Sequence, residues 1–256
     1  MIQSKQFGTL HLIPVGLSTT LAEQWLPEAT QRCAGLLTHY IAENAKTARA
    51  FLKTMPLQHA LQDIVIHELN SKTDQTTLQS WLEPLKLGVD MGLVSEAGCP
   101  AVADPGARAV AIAHQWGAKV KPWVGPSSIL LALMASGLEG QRFSFHGYAP
   151  IKPDERAKQI KQWESVSAQQ NQTQLLIETP YRNVAMFETL IKTLKGNTML
   201  CVAIDLTGPN ESIRTLTATQ WSNQTIPVVN DKPALFLFQA ALSANVVRAN
   251  PAKKAL

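Results

Sequence analysis

Five short turns carry the residues whose types and spacing could do chemistry: Pro14-Val15-Gly16-Leu17-Ser18, Ser95-Glu96-Ala97-Gly98-Cys99-Pro100, Gly125-Pro126-Ser127-Ser128, Glu178-Thr179-Pro180-Tyr181-Arg182 and Asp205-Leu206-Thr207-Gly208. Each follows an apolar run. Small residues let a main chain come close to a ligand, and glycine reaches backbone angles closed to other residues. At the carboxyl ends of parallel strands such turns converge on one crevice and make a pocket read by backbone amides and carbonyls. Ordinary strand-end punctuation would use the same residues. The candidate catalytic side chains are Glu43, Glu178, Arg182 and Asp205. Glu43 either contacts substrate or is a helix-start carboxylate favoured by the dipole. Glu178 and Arg182 either face an acceptor or pair with each other. Asp205 is a candidate general base. Asp104 reads as the N-cap of the helix behind it, with Pro105 at the first helical position and a direct role as the alternative. Cys99 reads as a snug small residue rather than a nucleophile.

Several chemistries are excluded. There is no GxxxxGK[ST], no GxGxxG after the first strand and no G-x-S-x-G. Carboxylates are not paired for glycoside chemistry. The three cysteines, Cys33, Cys99 and Cys201, have no CxxC or Cys/His spacing, so no metal is expected, and their odd number suits a reducing cytoplasm. The six histidines are dispersed and read as surface or core residues. No apolar run approaches the roughly 18 residues of a membrane span. The net charge of +4 is a mild basic bias, compatible with nucleic acid, without any block of about five like charges. Arg248 to Leu256 reads as a frayed end.

The elements that must position these turns follow from periodicity. Strands are predicted at Leu10 to Gly16, Gly35 to Tyr40, Asp63 to His67, Met91 to Val94 and Val120 to Val124. The helices between them are predicted from Leu21 to about Cys33 (capped by Thr19 or Thr20), Glu43 to Met55, Asp74 to Lys86 and Ala107 to Trp116. Strand–helix alternation of this kind makes a doubly wound, mainly parallel sheet. Ser127 caps an apolar helix, Ile129 to Ala135, ended by Gly137 and Gly140. An aromatic strand with Phe143, Phe145 and Tyr148 follows; its stripe reads as interdomain packing rather than a base-stacking platform. A polar, exposed helix spans Asp154 to Thr173. Strands at Gln174 to Ile177, Met199 to Ile204, Ile213 to Thr217 and Ala234 to Gln239, with a helix from Asn183 to Lys195, make the second half richer in β with mixed connections. The expected organisation is two α/β domains, 1–121 and 122–256.

One resemblance runs in order from about Gly8 to Gln239. Ser95-Glu96-Ala97-Gly98-Cys99-Pro100, then Asp104-Pro105-Gly106, then Gly125-Pro126-Ser127-Ser128-Ile129, then Ser136-Gly137-Leu138 with Phe143-Ser144-Phe145-His146-Gly147-Tyr148-Ala149-Pro150, then Glu178-Thr179-Pro180-Tyr181-Arg182 resembles the tetrapyrrole methylase superfamily of S-adenosylmethionine-dependent methyltransferases. Within it the pattern is similar to the branch that methylates a 16S ribosomal RNA cytidine at the ribose 2′-oxygen. The resemblance implies two α/β domains with the methyl donor in the cleft between them, and a homodimer. It implies that Ser95, Glu96, Ala97, Gly98, Pro100, Ser127, Ser128 and Ile129 hold the methionine and ribose part of S-adenosylmethionine. Pro14, Val102, Asp104 and Pro126 belong to the donor-binding set as well, while Thr179, Leu206, Pro233 and Ala234 line the adenine. It implies 16S RNA or the small ribosomal subunit as partner, a cytoplasmic location and no metal. The sequence departs from the branch's T-P-x-G-N at Pro14–Ser18, its E-D-T-R at Glu43-Asn44-Ala45-Lys46 and its E-L-T-K at Asp205–Gly208, where the lysine is lost. These departures fall mostly on the acceptor side. They keep two alternatives open: a methyltransferase on a tetrapyrrole or other small molecule, and a donor-binding homologue without catalysis.

Overall fold

The computed structural model describes residues 7–227 and 232–241; the expected frayed end lies outside them. The chain divides into two compact units, 1–127 and 128–256. A boundary at 121/122 would cut through a paired strand.

In the first unit the order is β1 (Thr9–Leu12), α1 (Glu28–Leu36), β2 (His39–Ala42), α2 (Ala45–Leu52), β3 (Val65–Glu68), α3 (Gln75–Lys86), β4 (Met91–Val94), α4 (Ala107–Trp116) and β5 (Lys119–Pro122). All five strands are parallel, in the order β3-β2-β4-β1-β5. The side-chain alternation of the strands divides the core. Tyr40, Ala42 and Val94 pack with Cys33 and Ala34 of α1 and Phe51 and Leu52 of α2. Ile41, Met91 and Leu93 pack on the other face with Leu78 and Leu82 of α3 and Ala109 and Ile112 of α4. The sheet is therefore doubly wound. Adjacent strands β1 and β4 send their helices to opposite faces, so the switch point lies at their carboxyl tips, where such folds open a crevice.

Two early expectations are corrected. Leu21 to Cys33 is not one helix: Ala22–Gln24 is a single 3-10 turn and α1 begins only after Pro27. Proline disfavours helical angles in the residue before it and offers no N–H, so the chain restarts there. The second strand does not begin at Gly35, which lies in α1. A Cβ at Gly35 would sit 2.1 Å from the Pro56 carbonyl oxygen, so this glycine serves helix packing. Gly92 is similar in kind: its Cβ would stand 2.2 Å from Cε1 of the fully buried Tyr40. Gly92→Ala is therefore expected to lose roughly 1–3 kcal/mol by overpacking, measured by urea unfolding; wild-type stability would show that the Tyr40 ring moves freely.

The second unit contains α5 (Ser128–Ser136), β6 (Phe143–Tyr148), α6 (Pro153–Gln170), β7 (Thr173–Glu178), α7 (Asn183–Thr193), β8 (Met199–Ile204), β9 (Ser212–Thr217), α8 (Ala218–Ser222) and β10 (Ala234–Gln239). Its sheet runs β6-β7-β10-β8-β9, with only β6 and β7 parallel neighbours. Leu176, Val202, Phe236 and Phe238 on one face pack with Ile160 of α6, Phe187 and Leu190 of α7 and Trp221 of α8. Helix α8, absent from the sequence reading, is nucleated by a capping box between Thr217 and Gln220. Helix α6 is less exposed than its polarity suggests. Glu164 is buried because it accepts from the Lys195 N–H (2.8 Å) and the Thr198 hydroxyl, and Arg156 is buried with its Nε on Thr189 Oγ1 (3.1 Å). Buried polar groups with partners are tolerated in this way.

The aromatic strand holds its stripe through a bulge. Phe143, Phe145 and Tyr148 oppose Thr173, Leu175 and Ile177, and the register shifts between Phe145 and Tyr148, where Gly147 has φ +64°. The extra residue returns Tyr148 to the face of the two phenylalanines.

Three histidines make stability depend on pH. His11 is buried, accepts at Nδ1 from Trp123 Nε1–H (2.9 Å) and has Nε2 3.3 Å from Asp90. Burial holds its pKa below the ordinary 6.5, against an upward pull from Asp90; burial likewise lowers His146 and His67. The unfolded chain then binds more protons than the folded one near that value. The stability these neutral rings contribute is complete above the unfolded pKa and is lost as pH falls through it. The urea midpoint is expected to fall between pH 7.5 and 6; a midpoint flat over that interval would reject the assignment.

Candidate functional site

In the first unit three of the five turns meet at the tips of β1, β4 and β5. Val15 and Gly98 exchange both backbone hydrogen bonds, N–H to O at 2.9 and 3.0 Å. Gly125 packs so tightly on Pro14 that a Cβ would be 2.4 Å from the ring. The Cys99 thiol donates to the Pro126 carbonyl (3.4 Å). Burial pushes that thiol's pKa up, a bond with Ser127 pulls it partly back, and the side chain packs within the corner as a small residue. The Ser95 hydroxyl turns inward and donates to the Ala97 and Gly98 carbonyls, both at 3.1 Å. It shapes the loop, while Glu96 and Ala97 stand exposed at its crest. Gly98 holds φ +73°. Pro14, Pro100 and Pro126 are buried beneath this corner and Val102 is exposed beside it.

The loop between β4 and α4 is under backbone strain. Ala101 and Ala103 have φ +65° and +62°. Left-handed angles cost an L-residue roughly 1–2 kcal/mol. The Asp104 carboxylate holds the strained loop: it accepts from the Ala101 N–H (3.0 and 2.9 Å) and the Gly106 N–H (2.7 Å). Burial raises its pKa and these two bonds lower it in part. Asp104 is therefore not the N-cap of α4. That place belongs to Gly106, with Pro105 ahead of the helix. The carboxylate instead serves two amides of the loop, an arrangement set by the turn rather than by helix spacing.

Glu43 lies at the tip of β2, and its Oε1 accepts from the Glu96 N–H (3.3 Å). Burial raises its pKa; the Glu96 N–H lowers it and the charges of Asp104 and Glu96 raise it further. Asn44, not Glu43, caps α2, accepting from Lys46 and Thr47. Glu43 thus braces the exposed loop, and its helix-start role passes to its neighbour.

The second unit brings its own set together. Ala234 pairs with Glu178 on one side and with Ile204 on the other, so the ends of β7 and β8 and the start of β10 lie in a row. Thr179, Leu206, Pro233 and Ala234 therefore share one sheet edge. The Asp205 N–H donates to the Pro233 carbonyl (3.0 Å). The turn after β8 is also strained: Asp205 has φ +50° and Thr207 φ +65°. Of the five left-handed non-glycine residues among the described ones, four lie in these two loops; the fifth, Asn171, closes helix α6. Strain of this kind concentrates at functional sites.

Asp205 folds over its own turn. Its Oδ2 accepts from the Asn210 N–H (2.9 Å) and stands 3.8 Å from the Lys232 ammonium. A Cβ at Gly208 would lie 2.2 Å from its Oδ1. The lost lysine at 208 and this carboxylate position thus exclude one another. The Asp205 carboxylate braces its own turn through Oδ2. Glu178 and Arg182 resolve into a pair: Oε2 lies 2.8 Å from the guanidinium, and the Glu178 side chain is fully buried. Lys232 was not singled out from the sequence; it lies far along the chain from the residues it faces, and only its neighbour Pro233 hinted at the turn. Ser128 and Ile129 occupy the first turn of α5 and are half-buried. Among the described residues no group of three His, Cys, Asp or Glu side chains could hold a metal ion, and no helix is long and apolar enough to cross a membrane.

No family model matches the chain. Individual relatives do. Over 197 residues the chain is 30% identical to the ribosomal RNA small subunit methyltransferase I of Xylella fastidiosa, covering 76% of this chain and 67% of that protein. Over 146 residues it is 33% identical to the protein of the same name from Vibrio cholerae, covering 57% of this chain and 49% of that one; the chain thus spans about half to two thirds of the length of these relatives. Among solved structures it resembles the methyltransferase CobJ, with a TM-score of 0.60 at 15% identity, covering 92% and 94% of the two chains. That likeness is one of fold: two α/β units, one parallel and one mixed, as expected from the sequence.

Proposed function

Because the chain belongs to the family of ribosomal RNA small subunit methyltransferase I, we propose that it is an S-adenosylmethionine-dependent methyltransferase acting on small-subunit ribosomal RNA at a ribose 2′-oxygen. The observation that carries this reading is the 30% identity over 197 residues, which takes in three quarters of the chain.

The residues present fit such a donor. The corner at Val15, Gly98 and Pro126 presents main chain with small side chains, and Gly98 takes there a φ of +73°, an angle that strains an L-residue. We assign Ser95, Glu96, Ala97, Gly98, Pro100, Ser127, Ser128 and Ile129 to the methionine and ribose part, with Pro14, Val102, Asp104 and Pro126 behind them. Thr179, Leu206, Pro233 and Ala234 are assigned to adenine. When bound, the sulfonium supplies an electrophilic methyl group and leaves as a neutral thioether. Transfer to a ribose hydroxyl would form an O–C bond, break the S–C bond and release the hydroxyl proton to water, so the work left to the chain's own residues is positioning, which supplies much of the rate in transfers of this kind. Asp104 and Glu43 hold the exposed loop from behind, through the amides of Ala101, Gly106 and Glu96. Asp205 and Glu178 are assigned to anchoring the second set, on the bonds each makes to its own turn. The protein is proposed to work in the cytoplasm as a homodimer.

The test is transfer of labelled methyl from the donor to 30S particles, followed by mapping of the modified nucleotide. A modified ribose in the RNA is the expected result. Tight donor binding with no incorporation would overturn the catalytic part of the reading, and incorporation into tetrapyrrole acceptors alone would overturn the RNA part.

A further inference from the structure

We propose that a recess on the helix-bearing face of the second unit binds a backbone phosphate of the RNA acceptor, with Arg214 as its principal contact. This rests on the RNA reading above and adds a subsite to it. The recess encloses about 460 Å³. Its floor is apolar: Val202, Ile204 and Trp221 are members of the unit's core. Its rim is polar and cationic, with Ser212, Arg214 and Lys232. Strand register explains the arrangement. Arg214 opposes Val202 and Ser212 opposes Ile204, so both project to the same face as the floor residues.

Arg214 is exposed, and its guanidinium lies 5.5 Å from the centroid of the Trp221 indole. A cation–π contact of this kind leaves the guanidinium N–H donors free. Trp221 is itself fixed, 3% exposed and bonded through Nε1–H to the Leu200 carbonyl (2.8 Å). Among the described residues no carboxylate lies within ion-pair range of Arg214. Among them Lys232 faces Asp205, at 3.8 Å, the outer limit of an ion pair. Among the described residues the recess thus sets the Arg214 and Lys232 cations against the Asp205 carboxylate, which suits a phosphodiester.

Its location favours RNA over a small free anion. Ile204 runs directly into the Asp205–Gly208 turn and Lys232 into Pro233 and Ala234, residues already assigned to the binding edge. A polymer engaged at that edge has further phosphates to place, whereas a free anion gains nothing from this continuity. Phosphate contacts of this sort position an RNA without reading its bases.

The test uses Arg214→Gln and Arg214→Lys in the full chain, with binding to 30S particles measured across a salt series and donor binding by calorimetry. Arg214→Gln is expected to weaken 30S binding about tenfold and to reduce the slope of log affinity against log salt by roughly 0.7–0.9, the loss of one phosphate contact. Arg214→Lys should keep the slope, and donor affinity should be unchanged in both. Ser212→Glu, which adds a negative charge on the same rim, should weaken 30S binding in the same direction and serves if Arg214→Gln does not fold. Unchanged affinity and slope in Arg214→Gln, with a wild-type chain that does methylate 30S particles, would overturn the recess alone. Saturable binding of inorganic phosphate that Arg214→Gln removes, with 30S binding intact, would also overturn it by assigning the recess to a free anion. Failure of the wild-type chain to bind or methylate 30S particles would instead remove the RNA reading, and this inference with it.

Discussion

Gly98→Val is expected to abolish measurable heat of S-adenosylmethionine binding while the chain still unfolds cooperatively. Gly98 cannot relax to accommodate the change. Both its N–H and its carbonyl are tied to Val15, at 3.0 and 2.9 Å, which keeps φ at +73°. A Cβ there would stand 3.3 Å from Leu17 Cδ2 and 3.8 Å from the Pro126 carbonyl oxygen, and the two valine methyls reach further into that gap. A β-branched residue at such angles costs roughly 1–2 kcal/mol before any contact is counted. The loop can escape only by giving up the Val15 bridge, which removes the main-chain surface assigned to the donor. Gly117→Val is the matched control. Gly117 also has a left-handed backbone, φ +77°, at the end of α4, with nothing within 4 Å of its Cβ position. It should lose comparable stability and keep donor binding. Wild-type donor affinity in Gly98→Val would mean that the Val15–Gly98 corner is not where the donor sits.

The parts of this molecule legible in the sequence are those where one local rule was enough. Met91–Val94, Met199–Ile204 and Ala234–Gln239 are apolar throughout or nearly so and bounded by turn residues, and the strands lie where those runs do. Ala107–Trp116 ends where Gly117 permits a left-handed cap. The misreadings came from tertiary demands on single residues. Gly35 looks like a break ahead of a strand, yet it is the point where α1 touches the Pro56 carbonyl. Asp104 sits where an N-cap belongs, but two amides of a strained loop claim its carboxylate. The pairing of Ala234 with both Glu178 and Ile204 joins segments whose separation in the chain carries no periodic signal. The order of small-residue motifs pointed to a family, whereas the meeting of Arg214, Lys232 and Trp221 could be seen only in three dimensions.

Arg182→Ala is expected to destabilise the protein by about 3–5 kcal/mol, the usual consequence of leaving a buried charge without its partner. The Glu178 side chain has no exposed surface, and the Arg182 guanidinium lies 2.8 Å from its Oε2. Its other oxygen accepts from the Thr179 N–H at 2.9 Å, which cannot neutralise the charge. Arg182 also donates to the Ala149 carbonyl at 3.3 Å, tying the end of β6 to the turn after β7. An arginine reserved for the acceptor would behave differently: its loss would reduce turnover and leave unfolding unchanged. The double change Glu178→Gln with Arg182→Ala separates the two. If the pair is structural, removing the carboxylate charge should recover part of the stability lost with Arg182 alone, giving a coupling of roughly 0.5–3 kcal/mol. Urea unfolding measures both quantities. A loss under about 1 kcal/mol in Arg182→Ala, with no coupling to Glu178, would assign the guanidinium to the acceptor instead.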